Sequence, residues 1–515
     1  LTTQTIVKTS PERPRERARA TVARSWLPTL AVAVLAAAVF LLSRKALIDD
    51  AYITLAYARN LAFHLHWGLV PTLTANTATS PLNELLLGLL TSVTRAPVLA
   101  LGVVYVLSAV AMEYGLRRAA RSTGLPGWIG LLTVLFTALN PLLISSIGLE
   151  ISLGGGLVAL LFAASLARRP LWFGVIAGML ALTRPDLLII VVVVFLARPK
   201  PWRRWWLSLI GLLVVTVPWY LWSWTALGSA LPDTLLLKVN QGAWAGHKFD
   251  TGPVLYHDAF PTAALLSYLP AAIGALLAVC WLVLRLVRHA EPLRRLDRFF
   301  ALPLAGGLHY LAYSILGVPP YHWYYGTSII CCSAFVAVVI GAIARTSEST
   351  LAARMPGLAG GVLTAALVVV SAVDFSADGL PRQAAQITTN WATSRQYEEI
   401  GTAVGRLAGD QVVSTAAEIG AIAYFCDCTV VDPFSDQGYI VQKVSRWLDA
   451  MQPLNRKVMG WNFHYLDRSH RPLVATLALV YTTEPPSGAL GTWQVNSPWM
   501  DPPGHWHYLS LVPAG

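Results

Sequence analysis

Charge is scarce in this chain. Of 515 residues only 13% are Asp, Glu, Lys or Arg, against 55% hydrophobic, where an ordinary soluble domain carries about 25% charged residues. A wholly water-exposed fold is therefore excluded. Cysteine is rare too, with five in all. Cys280, Cys331 and Cys332 fall in apolar runs and read as core residues, while Cys426 and Cys428, one residue apart, stand too close for an unstrained pair in regular structure. No metal-ligand spacing surrounds them. The C-terminal stretch from Asp374 to Gly515 lacks any apolar run of spanning length, and it also lacks a phosphate-binding glycine loop and a nucleophile elbow.

Long apolar runs fill the rest. A helix needs roughly 20 apolar residues to cross the hydrocarbon of a bilayer, and expected spans fall at Trp26–Ser43, Val98–Gly115, Trp128–Ile147, Ser152–Ala167, Leu171–Leu182, Leu187–Ala197, Leu207–Leu227, Ala263–Leu284, Phe299–Leu316, Thr327–Ala344 and Leu358–Val373. With 19 Trp and 18 Tyr, many near the ends of these runs, the chain has the material for interfacial aromatic belts. The net charge of +11 sits in alternate loops, which argues for a membrane rather than nucleic acid. Lys8, Arg13, Arg15, Arg17, Arg19 and Arg24 precede the first span. Arg117 and Arg118, Arg168 and Arg169, Arg198 to Arg204, Arg285 to Arg298, and Arg345 and Arg354 mark every second connection thereafter. That alternation implies about eleven spans, with the N-terminus cytoplasmic and the C-terminus outside.

The Leu182-Thr-Arg-Pro-Asp186 interruption reads as a polar hairpin between two half-length helices, the other option being one kinked helix. The run Pro81–Val93 reads as a helix along the outer interface. Residues 1–25 form a basic cytoplasmic tail, 26–373 a transmembrane domain whose outer loop 44–97 is catalytic, and 374–515 an extracytoplasmic soluble α/β domain. In the last, strands are expected near Gln411–Ser414, Thr429–Asp432 and Leu477–Tyr481, with helices over Ala392–Leu407 and Gln437–Ala450. Asp427, Asp432, Asp436 and His464 read there as surface or capping residues.

Four polar places fall on the outer side. They are Asp49-Asp50 with its loop through Arg59, His64, His66 and Trp67 to Pro81; Glu150; Arg184 with Asp186; and Lys238 together with Pro319–Tyr325. A carboxylate beside hydrocarbon costs desolvation energy unless solvated, paired or at work. Acids, cations and aromatics together suit sugar transfer from a lipid phosphate, in which an acid takes a proton from an acceptor hydroxyl and cations stabilise the departing phosphate.

The runs Asp49-Asp-Ala-Tyr-Ile-Thr-Leu-Ala-Tyr-Ala-Arg-Asn60, Ala75-Asn-Thr-Ala-Thr-Ser-Pro-Leu82, Gly148-Leu-Glu150 and Leu182-Thr-Arg-Pro-Asp186 resemble the GT-C superfamily of polyprenyl-phosphate-sugar glycosyltransferases. The Ala75–Thr79 run is similar to that of the mycobacterial terminal arabinofuranosyltransferases. The likeness covers nearly the whole chain, although Leu82-Asn83 replaces a bulky aromatic common in the family. It implies a polytopic α-helical GT-C-like fold in the plasma membrane, a polyprenyl-phosphate-sugar donor and a glycan or glycolipid acceptor. The expected sugar is arabinofuranose from decaprenyl-phosphoryl-arabinose, for arabinogalactan or lipoarabinomannan; the alternatives are a mannosyltransferase of the same fold and a lipid-linked sugar flippase. The first outer loop supplies the implied catalytic acid, from Asp49 or Asp50, with Asp49 narrowly favoured. Arg184 and Lys238, then Arg59 and His322, are expected to contact the donor phosphate, Tyr321, Trp323 and Tyr324 to line the donor pocket, and Glu150 and Asp186 to serve as secondary acids. No metal is required, though a divalent ion bridging Asp and phosphate is compatible with the chemistry.

Overall fold

In a computed structural model, the structure describes residues 14–198, 202–239, 241–288, 294–346, 383–415, 418–500 and 508–514. The helices in the first two thirds of the chain are α1 Pro14–Ser43, α2 Asp49–His64, α3 Pro81–Thr94, α4 Pro97–Ser122, α5 Ile129–Ala138, α6 Pro141–Ser145, α7 Ile151–Leu166, α8 Pro170–Thr183, α9 Leu188–Leu196, α10 Trp206–Trp222, α11 Thr234–Val239, α12 Gly252–Ala259, α13 Pro261–Arg288, α14 Ala301–Leu316 and α15 Gly326–Thr346. Among the described residues five segments are long and apolar enough to cross a membrane: Trp26–Ser43, Pro97–Ser122, Trp206–Leu227, Pro261–Val287 and His322–Arg345. Shorter apolar helices cover Ile129–Ala138, Ile151–Leu166, Pro170–Thr183, Pro185–Leu196 and Ala301–Leu316. The expected eleventh span, Leu358–Val373, lies outside the described residues.

Helix packing follows residue size. On α4 the buried residues Leu101, Val104, Ser108, Met112, Gly115 and Ala119 form one stripe at helical spacing, and a Cβ placed on Gly115 would stand 2.6 Å from the Ala159 backbone of α7. Only glycine lets two backbones approach so closely. Outward-facing Val34, Leu107, Val214, Leu276 and Ile315 remain exposed, as a lipid-facing surface requires.

One expected span takes a different form, and the expected hairpin is present. Trp128–Ile147 is broken, because Pro141 cannot continue a helix entering from Asn140. The Asn140 side chain instead accepts from the Leu143 amide at 3.1 Å and starts α6, while its Nδ2 donates to the Ser267 carbonyl of α13 at 2.9 Å. The 182–186 interruption is a hairpin, since the Phe173 ring at the start of α8 lies 5.9 Å from that of Phe195 at the end of α9. One kinked helix would hold those rings far apart. Pro81–Thr94 is a helix, as expected.

The C-terminal part carries a five-stranded mixed sheet in the order β2-β1-β3-β5-β4, with β1 Val413–Thr415, β2 Val430–Val431, β3 Leu477–Thr482, β4 Gly491–Gln494 and β5 Tyr508–Pro513. β1 is parallel to β2 and β3, and β5 is antiparallel to β3 and β4. Its helices are α16 Ser394–Ala408, α17 Gly420–Cys426, α18 Gln437–Ala450 and α19 Pro453–Asn462. Thr393 starts α16 with a reciprocal capping box to Gln396.

The reading of Cys426 and Cys428 needs correction, for they form a disulfide. Cys426 ends α17 and Asp427 takes a left-handed conformation with φ of 52°. The chain doubles back there and sets the two Cα atoms 5.2 Å apart, within bonding range. Regular structure forbids such a pair; a helix terminus in this conformation does not.

Candidate functional site

α2 opens on the acid pair, and its first turn is wedged between the bundle and the sheet. Both oxygens of Asp49 are taken up by backbone amides. Oδ1 accepts from Ala421 at 2.7 Å, and Oδ2 accepts from Gly420 at 2.9 Å and Ile419 at 3.2 Å. The side chain thus fastens the start of α17, and the Asp49 amide donates in turn to Asn390 Oδ1 at 3.1 Å. Burial and the neighbouring Glu418 carboxyl raise its pKa well above the usual carboxylate range, against the pull of those amides.

Asp50, one residue on, makes no side-chain hydrogen bond to another residue among those described. It faces a cavity of about 1000 Å³. Burial lifts its carboxyl, Lys238 opposes that shift and Glu150 adds to it. In the same cavity, the Lys238 ammonium lies 4.4 Å from the Tyr321 ring and 5.6 Å from the rings of Trp323 and Tyr324. An aromatic cage of this kind holds a cation without neutralising it. Tyr321 is held by its hydroxyl, which donates to Gln241 at 2.8 Å.

The start of α11, the helix that carries Lys238, is pinned through the Ala75–Thr79 run. Asn76 Nδ2 donates to Ser223 Oγ at 3.0 Å and to the Ser229 carbonyl at 2.8 Å. Ser229 Oγ donates to Asp233 at 2.7 Å, and the Asp233 amide returns to the Asn76 carbonyl at 2.8 Å. Burial raises Asp233 to about 7. Tyr57, from α2, ties the same run by donating to the Ala75 carbonyl at 2.9 Å.

Glu150 reaches the cavity and is anchored from behind. Arg184, at the tip of the α8–α9 hairpin, pairs with Glu150 at 2.9 Å and with Asp186 at 3.0 Å, donates to the Tyr313 hydroxyl, and lies 4.7 Å from the Tyr324 ring. Asp186 accepts from His309 at 2.8 Å. Arg184 is thus saturated by protein groups and does not line the cavity.

Asp49, Asp50, Glu150, Lys238, Tyr321 and Trp323 therefore line one cavity, whereas Arg184, Asp186 and Tyr324 do not line it. His322 is fully buried between Tyr256 and Trp323, away from the cavity. Arg59 points to the C-terminal part, donating to the Tyr424 carbonyl at 2.7 Å and pairing with Asp427 at 3.4 Å. Of the other C-terminal acids, Asp436 caps α18. Asp432 accepts from the amides of Phe434 and Ser435, lines the cavity, and is raised to about 6 by burial.

Several cavity residues escape sequence reasoning. Glu84 on α3 sits inside a motif-like run whose apolar periodicity points to packing. Glu418 lines the cavity between Trp391 and Tyr481, accepting from the Trp391 amide and the Tyr481 hydroxyl, each at 2.9 Å. Tyr439, Lys443, Arg446 and Trp447 present the outer face of α18 to the opposite wall. Among the described residues no three His, Cys, Asp or Glu converge as a metal site.

No protein-family model and no curated protein matches the chain. Solved structures do. The oligosaccharyltransferase of Archaeoglobus fulgidus in its apo form superposes with a TM-score of 0.53 at 12% identity, over 88% of this chain and 70% of that one. ArnT from Cupriavidus metallidurans bound to undecaprenyl phosphate gives 0.53 at 14% identity, over 94% and 97%. The chain has the GT-C fold. Arabinofuranosyltransferase AftD from Mycobacteria matches at a TM-score of 0.48 and 15% identity, over 94% of this chain and 40% of that one. Within the GT-C fold of this chain, α2 with its acid pair, α3 and α11 with Lys238 frame a cavity against the C-terminal part.

Proposed function

We propose that the chain is a membrane glycosyltransferase that moves a sugar, arabinofuranose from decaprenyl-phosphoryl-arabinose, onto a cell-envelope glycan on the outer membrane face. The carrying observation is the free Asp50 carboxyl sharing one cavity of about 1000 Å³ with the caged Lys238, whose charge acts on it. In a direct displacement Asp50 takes the proton of the acceptor hydroxyl, whose oxygen bonds to the anomeric carbon as the bond to the phosphate oxygen breaks. Lys238 stabilises the charge left on the polyprenyl phosphate. The geometry favours Asp50 over Asp49 as this base, because both Asp49 oxygens are occupied by amides. Arg184 and Asp186 hold Glu150 in place, and Tyr321 and Trp323 wall the donor. α18 supplies Tyr439, Lys443, Arg446 and Trp447 as an acceptor wall, aromatic faces and cations being suited to glycan rings and hydroxyls. Lipid-linked donors agree with the undecaprenyl phosphate bound by the ArnT structure. Residues 374–515 act as an extracytoplasmic domain, and the step as written requires no metal.

The test uses membranes bearing wild type or Asp50→Asn with labelled decaprenyl-phosphoryl-arabinofuranose and an arabinan acceptor, alongside polyprenyl-phosphate mannose. Transfer by wild type and its loss in Asp50→Asn are expected. Undiminished transfer by Asp50→Asn removes the catalytic assignment, and turnover of the mannose donor alone changes the sugar.

A further inference from the structure

The first turn of α3 carries a group that the transfer step does not use. Glu84 is 3% exposed, lies on the cavity wall, and its Oε2 has no hydrogen-bond partner. A buried polar atom left unpaired costs about 1–3 kcal/mol, so an unpaired carboxyl oxygen on the cavity wall reads as a group that meets a polar ligand. Ser80 Oγ and Asn83 Nδ2, also buried without partners, do not line the cavity. The same cavity is lined by Thr54, Thr77 and Thr79 and by Glu150, whose charge acts on Glu84. Thr77 is already committed, its hydroxyl lying 2.9 Å from that of Tyr57. Glu84, Thr54 and Thr79 remain to meet a ligand. A carboxyl that shares its cavity with short hydroxyls, and whose charged neighbour among the described residues is Glu150 rather than a cation, fits a neutral polyol and not a phosphate.

We infer that the first turn of α3 is the seat of the transferred sugar ring, in which Glu84 hydrogen-bonds one ring hydroxyl and thereby selects the sugar. This rests on the reading of the cavity as a site of glycosyl transfer. Burial and the Glu150 charge raise the Glu84 carboxyl well above its usual range, which favours the protonated form, a donor and acceptor at once. A neutral carboxyl has the hydrogen-bonding layout of an amide. Glutamine should therefore replace it, which separates this role from that of a general base.

Purified full-length enzyme is assayed with decaprenyl-phosphoryl-arabinofuranose and its 2-, 3- and 5-deoxy analogues, each variant being checked by thermal melt. Glu84→Leu is expected to raise the donor KM about 10- to 100-fold, the effect of one lost hydrogen bond to a buried group. It should also erase the wild-type discrimination against one deoxy analogue only. Glu84→Gln should keep that discrimination and stay within about threefold of wild type in kcat. Unchanged KM and discrimination in a folded Glu84→Leu overturn the inference, as does a Glu84→Gln that loses kcat with KM intact. If Glu84→Leu does not fold, Glu84→Gln alone decides: retained discrimination supports the role and lost discrimination overturns it. A wild type that turns over no polyprenyl-phosphate sugar overturns the transfer reading, and this inference with it.

Discussion

Asp49 and Asp50 are neighbours in sequence and opposites in use, and mutagenesis should separate them by observable. Asp50→Asn is expected to lower transfer by 10²-fold or more, on the order of a lost general base, with little change in melting temperature. Asp49→Ala should instead cost about 1–3 kcal/mol of stability, as expected when the buried amides at the start of α17 lose their acceptor, read as a lowered Tm. Composition exposes an acid pair beside a span but not which acid is free. That depends on amides at Ile419, Gly420 and Ala421, some 370 residues away. Asp233 adds a pH test. Folding raises its carboxyl from 3.8 to about 7, so the folded state binds more protons, and stability present below pH 4 is lost as pH rises through 7. The full swing is on the order of 4 kcal/mol. Asp233→Asn keeps an acceptor for Ser229 without the charge, and should flatten the fall in Tm between pH 5 and pH 8 seen in wild type. An equal fall in both proteins would remove Asp233 as its source.

Between elements, the contact of α2 with α17 holds the site together. A Cβ on Gly420 would stand 2.2 Å from the Asp49 carbonyl and 2.9 Å from the Ile53 amide, both backbone atoms that cannot swing aside. Gly420→Ala should therefore push α17 off α2 at a cost of about 1–3 kcal/mol, visible as a lower Tm together with weaker transfer, since the Asp49 amide bonds lengthen. Unaltered melting would remove steric contact at Gly420 as a constraint on the packing of α17 against α2. Element existence was largely legible, because apolar run length and the Arg/Lys rhythm are local properties. The Asn140-Pro141 break carried a local signal, proline after a capping residue, which a hydropathy window averages away. The hairpin at Arg184 was legible from its length and its Pro185. The disulfide was not, since only the left-handed turn at Asp427 brings Cys426 and Cys428 together.

At the scale of the whole molecule, the cavity exists only because the sheet part closes over the bundle. From the bundle it is lined by α2, α3 and α11, and from the C-terminal part by α18, whose buried residues Ile440, Val441, Val444 and Leu448 pack into a separate apolar cluster. Periodicity shows which face of such a helix is buried, never what the polar face of Lys443 and Arg446 looks upon, so half the site was hidden from the sequence. The arrangement also fixes a topological test. If the cavity opens outside, Arg395 on α16 must be external and Arg118 on α4 cytoplasmic, both being exposed. In a Cys280→Ser background, a membrane-impermeant maleimide applied to intact cells should label Arg395→Cys, and should label Arg118→Cys only after lysis. Cys426–Cys428 points the same way, because disulfides persist in oxidising compartments. Labelling in the reverse order would put Asp50 on the cytoplasmic side, where nucleotide sugars replace lipid-linked donors as the available substrate. It would then overturn the choice of donor while leaving the GT-C fold untouched.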